Sequence, residues 1–199
     1  MKFNRRMSDF VGYKKCMSSR RWLRDMINDV CIARSAYNDF MPGKLFWQFY
    51  LKRGFFNPYF TREVFRLFLR EMFDKVKDAD FQIAGLEESS IPLLASFPVH
   101  AKDVGFKLNA FSIRKERKTY GLLNWLEGIP NDLSVVLIDD VYSSGLSTQK
   151  ACDILELHNL KPLNEFVVVA KKYSNNDDSL LSSGIKILYL FDLSDFDIR

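Results

Sequence analysis

The stretch Val135-Val136-Leu137-Ile138-Asp139-Asp140-Val141-Tyr142-Ser143-Ser144-Gly145-Leu146-Ser147-Thr148 decides how this chain is read. Its apolar start predicts a strand buried on both faces, and that strand runs directly into two adjacent carboxylates. A small turn rich in hydroxyls and containing one glycine follows. A helix comes next, with Ile154 and Leu155 on its inner face. A strand, a small turn and a helix N-terminus in that order make an anion site. Backbone N–H groups of the turn, the Ser and Thr hydroxyls and the first helical turn together surround a phosphate. Two carboxylates beside that phosphate would repel it unless they serve other groups, and sugar hydroxyls or a hydrated Mg²⁺ are the natural partners. An ordinary helix cap at an acidic strand end explains the serines but not the paired carboxylates.

Working outward, short apolar runs recur at 81–84, 108–113, 134–139, 165–170 and 186–191, separated by helical or loop segments. Strands of this texture alternating with helices predict an α/β fold with a parallel sheet covered on both faces, whose ligands lie outside the carboxyl ends of the strands. Upstream, Leu23, Met26, Ile27, Val30 and Cys31 recur at helical spacing from Ser18 onward, and Met41-Pro42-Gly43 ends that pattern. A second helix is expected from about 61 to 77, with Phe65, Phe68, Leu69, Met72, Phe73 and Val76 facing inward. Residues 1–45 are taken as a basic arm and helix, and 46–199 as the α/β domain with a hood segment at its start.

The 199 residues, 47% hydrophobic and 27% charged, suit one domain with a real core and exclude disordered and fibrous classes. No run nears the ~18 uninterrupted apolar residues of a membrane span, and the basic start is not followed by a secretory apolar region. Three cysteines at wide spacing (Cys16, Cys31, Cys152) fit a reducing compartment, so a cytoplasmic protein is expected. The net charge of +4 is unevenly spread. Residues 1–24 hold eight basic residues against Asp9 alone, a net +7, so the rest of the chain carries −3. Such an arm suits contact with nucleic acid or a partner's acidic face; a merely solvated segment is the plainer alternative.

The segment 135–148 resembles the phosphoribosylpyrophosphate-binding motif of type I phosphoribosyltransferases. The resemblance implies that Asp139 and Asp140 hold ribose hydroxyls and a hydrated Mg²⁺, while Ser143, Ser144, Gly145, Ser147 and Thr148 cradle the 5′-phosphate. Two further segments resemble orotate phosphoribosyltransferases. The basic loop Arg114-Lys115-Glu116-Arg117-Lys118-Thr119-Tyr120-Gly121 is similar to their mobile catalytic loop. There Arg114, Lys115 and Lys118 would close over the departing pyrophosphate, the lysine at Lys118 acting across a dimer interface. The segment Leu51-Lys52-Arg53-Gly54 with Pro58-Tyr59-Phe60 is similar to their early substrate segment, with Lys52 reaching phosphoribosylpyrophosphate and Phe60 lying against the base. Lys172 stands nearest to the arginine that the family uses on orotate. The implied protein is a homodimeric transferase joining ribose 5-phosphate to a nucleobase. The alternative is a nucleotide-binding regulatory or effector module of the same fold working within a larger complex, with nucleic acid as a candidate partner.

The chain also departs from that pattern. Gly85-Leu86-Glu87-Glu88-Ser89-Ser90-Ile91-Pro92 has Ser89 and Ser90 where the family carries lysine and glycine, and it adds two carboxylates beside the expected pyrophosphate. Tyr120 replaces a histidine, and Lys172 offers a point charge where arginine offers a fork, which alters the expected base pocket. Other chemistries find no support. His100 and His158 lack companions at metal-ligand spacing, Gln149 stands where a nucleophile elbow needs glycine, and neither glycine-rich nucleotide fingerprint occurs.

Overall fold

The computed structural model describes residues 17–32, 49–73, 80–117, 124–170 and 185–196. Helix α1 (Met17–Met26) continues into a π-helical turn (Ile27–Cys31). A single turn α2 (Lys52–Phe55) and the long α3 (Pro58–Phe73) follow. Then come β1 (Phe81–Leu86), α4 (Ile91–Asp103), β2 (Asn109–Ile113), the short β3 (Leu126–Glu127), β4 (Ser134–Tyr142), α5 (Leu146–Leu157), β5 (Pro162–Ala170) and β6 (Lys186–Asp192). The sheet order is β3-β2-β1-β4-β5-β6, parallel throughout except for the β2–β3 pair. The expected α/β fold with a parallel sheet is thus what the chain adopts. The short antiparallel β3 and the helical nature of 91–103 were not read from the sequence.

Period-two alternation sends neighbouring side chains of each buried strand to opposite faces. On one face, Phe81, Ile83, Val136, Ile138, Phe166 and Leu190 pack with α1, α3 and α4. On the other, Ala84, Phe111, Val135 and Leu137 pack with Ala151, Ile154 and Leu155 of α5. Of the expected inner faces, Leu23, Ile27 and Cys31 are buried with Met26 and Val30 packed beside them, and Phe65, Phe68, Leu69 and Met72 are buried, while the Phe73 side chain and Val76 lie outside what is described. Phe68 is the hub of the first face, its ring centroid 5.0–6.2 Å from those of Phe166, Phe97, Phe81 and Phe65. No helix among the described residues is long and apolar enough to cross a membrane.

Two features fix how the strands sit. The buried Gln82 amide donates to the carbonyls of Asn131 and Leu133 and accepts from Asn109 and the Asn131 N–H, tying the loop before β4 to β1 and β2. Gly85 lies so close to β4 that an added Cβ would stand 2.3 Å from the Ile138 carbonyl oxygen and 2.4 Å from the Ser90 Cβ. Neither neighbour is a flexible tip, so Gly85→Ala is expected to destabilise the fold by about 1–3 kcal/mol. Urea unfolding measures this, and an unchanged midpoint would refute so close an approach.

Candidate active site

The strand order reverses between β1 and β4: the chain leaves β1 towards β2 on one side, and β4 flanks β1 on the other. Crevices at such points, outside the carboxyl ends of the strands, are where parallel sheets bind ligands. Two loops meet there. The turn 87–90 leaves β1 and leads into α4, while residues 143–145 leave β4 and lead into α5.

The two loops are joined by one short hydrogen bond. Ser89 Oγ donates to Asp139 Oδ1 at 2.6 Å. Ser90 beneath it is fully buried, and its hydroxyl donates to the Leu86 carbonyl. Asp139 is 8% exposed and also accepts from the Asp140 N–H at 2.8 Å. Burial first, and the neighbouring Asp140 charge second, push its pKa well above the ordinary carboxylate range, against the lowering effect of Ser89. Asp140 faces the opposite side of the pleat and is partly exposed, its Oδ1 accepting from the Val141 N–H. The two carboxylates are therefore inequivalent: Asp139 is anchored inside the fold, and Asp140 stands at the crevice.

Behind Asp139 lies a third acid that sequence reasoning missed. Glu165 on β5 is 3% exposed, and burial pushes its pKa up to about 7. Its Oε2 accepts from Thr148 Oγ1 at 2.7 Å. An acid inside the apolar run 165–170 was the available signal, since charged residues are rarely fully buried without a purpose. This bond also corrects the expectation for Thr148. Its hydroxyl turns inward to Glu165 and the residue is 3% exposed, so the Thr148 side chain faces away from the turn 143–147. Gly145 has φ +74°, a left-handed conformation that favours glycine, and its carbonyl accepts from the Gln149 N–H as α5 begins. Ser144 and Ser147 are exposed beside it, and Ser143 is half-buried.

The basic residues reach this edge already partnered by acids. Lys52 Nζ lies 4.0 Å from Glu88, and Arg114 Nη1 lies 3.1 Å from Glu127 and 3.8 Å from Glu87. Glu87 also accepts from the Lys115 N–H at 3.0 Å, and its own N–H donates to the Ile113 carbonyl. The two carboxylates that depart from the family pattern thus hold the first residues of the basic loop and cover Lys52. The Lys52–Glu88 pair is exposed and worth about 0–1 kcal/mol, whereas Arg114 and Glu87 are largely buried.

Phe60 requires a second correction. Its ring is fully buried, packed edge-on against Phe55, and lies 2.7 Å from where a Cβ on Gly54 would stand. It is core, not a wall for a base. The exposed aromatics of this segment are Phe56 and Tyr59, 85% and 60% exposed, with Arg62 stacked over the Tyr59 ring. His100 bonds Thr61 and lies beside Phe65, and His158 caps the end of α5. Lys118, Tyr120, Gly121 and Lys172 lie outside the described residues, as do residues 1–16 of the basic arm.

No protein-family model matches the chain. In sequence it is 26% identical over 157 residues to an orotate phosphoribosyltransferase of Sulfurisphaera tokodaii, covering 74% of this chain and 77% of the relative. A phosphoribosyltransferase crystal structure from Corynebacterium diphtheriae superposes with a TM-score of 0.73 at 20% identity, covering 90% of this chain and 98% of that one. The Mycobacterium tuberculosis orotate phosphoribosyltransferase, in complex with 5-phospho-α-D-ribosyl 1-diphosphate, superposes with a TM-score of 0.69 at 17% identity, covering 92% and 95%. The fold is that of the type I phosphoribosyltransferases. Within that class, the sequence likeness is to the orotate enzymes.

The buried acids dictate how stability depends on pH. Glu165 holds its proton more tightly in the folded chain than at its ordinary value of 4.5, and Asp139 shifts the same way. The folded state therefore binds more protons between about pH 4.5 and 7, and stability falls as pH rises through that window. Glu165→Gln is neutral throughout and can still accept from Thr148. Urea unfolding at pH 5 and pH 8 is expected to show a shallower fall in this variant than in the wild type; an equal fall would contradict the assignment.

Proposed function

We propose that the chain transfers ribose 5-phosphate from phosphoribosylpyrophosphate to a ring nitrogen of a nucleobase, releasing pyrophosphate. The observation that carries this reading is the acidic pair and glycine turn at the end of β4, set directly against the turn after β1. Ser143, Ser144, Gly145 and Ser147, with the N-terminus of α5, would take the 5′-phosphate through hydroxyls and backbone N–H groups. Asp140 would meet the ribose hydroxyls, held in place by the anchored Asp139.

The bond from the sugar carbon to pyrophosphate breaks ahead of bond formation to the base nitrogen. Positive charge then grows on the sugar and negative charge on the leaving group. Fixed charges aimed at those positions accelerate the step. Asp140 faces the first; Lys52 and Arg114, once released from Glu88 and Glu87, serve the second together with Lys115 and Lys118. Among the described residues, no group of three or more His, Cys, Asp or Glu side chains forms a metal cage. Of the acidic pair first assigned to the metal, the crevice-facing Asp140 fits a hydrated Mg²⁺ held through its waters, and the buried Asp139 would position Asp140 from behind. When bound, it would neutralise pyrophosphate charge. Lys172 would sit near the base, with an exposed aromatic, Tyr59 or Phe56, in the place first assigned to Phe60. A cytoplasmic homodimer, with Lys118 acting across the interface, is part of the same reading.

The pairing of Lys52 and Arg114 with Glu88 and Glu87 favours one alternative, a binding module of this fold that holds phosphoribosylpyrophosphate without turnover. Pyrophosphate release with a panel of nucleobases including orotate, alongside calorimetry with phosphoribosylpyrophosphate and Mg²⁺, separates the two. Release with at least one base is expected, and binding without release from any base would support the module.

Asp140→Asn should lower that release by roughly 100-fold or more while leaving the unfolding midpoint in place. Full activity in this variant would sink the transferase assignment.

A further inference from the structure

Beside the edge strand β6 the chain gathers a second concentration of positive charge that shares no residue with the strand-end site. Arg20, Arg21 and Arg24 of α1 meet Arg70 of α3 around an open cavity of about 460 Å³, completed by Phe191 and Asp195. Arg20 is held in place, its guanidinium donating to the Leu190 carbonyl and lying 5.4 Å over the buried Phe191 ring. Asp195 is the one acid of the lining, and its carboxylate is occupied in accepting from the Asp192 N–H at 2.9 Å. Among the described residues, Arg24 and Arg70 each pair with the next residue in sequence, Asp25 at 3.8 Å and Glu71 at 3.5 Å, at half-exposed positions where such pairs are weak.

Four arginines and one carboxylate line the cavity, a net positive charge that an anion there would offset. Arginine forks match phosphate oxygens two at a time, and an arginine fixed on an aromatic floor loses little freedom on binding. The volume exceeds a single tetrahedral anion, since one water occupies only about 30 Å³. It falls within the range of roughly 300–1,000 Å³ typical of small-ligand sites. We infer that this cavity binds phosphoryl groups, two or more at once, from a free polyphosphate-bearing ligand or from the backbone of a nucleic-acid strand. The inference stands independently of the transferase reading.

The test titrates the full chain with inorganic tripolyphosphate and, separately, with a single-stranded oligonucleotide of roughly twelve nucleotides, at salt concentrations between about 50 and 200 mM. The comparison is the double variant R21Q/R24Q, whose two side chains are exposed and outside the core. Its unfolding midpoint should equal that of the wild type. Tripolyphosphate affinity should fall at least roughly tenfold, and the salt dependence should weaken by one to two released counterions. A parallel loss for the oligonucleotide assigns the site to a nucleic-acid backbone, and a loss confined to tripolyphosphate assigns it to a free ligand. Equal affinities for both probes in variant and wild type, or no binding of either at low salt, would overturn the inference. These readouts need no turnover, so they remain decisive even if no base supports pyrophosphate release.

Discussion

The site depends on how closely the turn after β1 approaches the end of β4. Gly85 removes the side chain that would hold them apart, and Ser90 fills the space with a hydroxyl bonded back to Leu86. Ser89 then reaches Asp139 at 2.6 Å. With that bond in place, Asp139 is buried and anchored, Asp140 is directed by the pleat to the crevice, and the glycine turn follows three residues later. A bulkier residue at 85 would separate the two strand ends and with them every group that must act on one ligand.

The basic residues depend on a different part of the molecule. Lys52 is carried by α2, whose position follows from Gly54 letting the Phe60 ring lie against it, and Phe60 begins the buried face of α3. That face is locked to the sheet and to α4 through Phe68. Aromatic packing of this density transmits position well, because interiors yield little to local strain. The hood segment is thus held as an extension of the core, and Lys52 is delivered to Glu88 and the crevice by packing instead of by charge.

Electrostatically, the chain keeps its opposite charges close. Glu87 and Glu88, departures from the pattern of the similar enzymes, each engage a cation or its loop. Asp139 and Glu165, both raised in pKa by burial, lie inside the fold, while Asp140 stands at the crevice. The arginine cavity beside β6 has the opposite balance, with four cations and a single acid in its lining. The +7 of the first 24 residues therefore includes two kinds of charge: Arg20, Arg21 and Arg24, gathered in that cavity, and the more N-terminal basic residues.

Sequence by itself determined the parallel strands, the inner faces of α1, α3 and α5, and the acidic pair running into a glycine turn. Each is written in the periodicity or local chemistry of one element. It also identified Lys52 and Arg114 as cations of one edge, through resemblance in motif order. Tertiary structure decided where individual side chains went. Phe60 reads as a base contact beside Pro58 and Tyr59, yet the missing side chain at Gly54 draws its ring into the core. Thr148 reads as a phosphate ligand, yet a buried Glu165, 17 residues away, takes its hydroxyl. Glu87 and Glu88 read as obstacles to pyrophosphate until their partners across the fold are known. Periodicity reports which face of an element is buried. The partner a polar group finds there depends on residues distant in sequence, and only the packed chain brings those together.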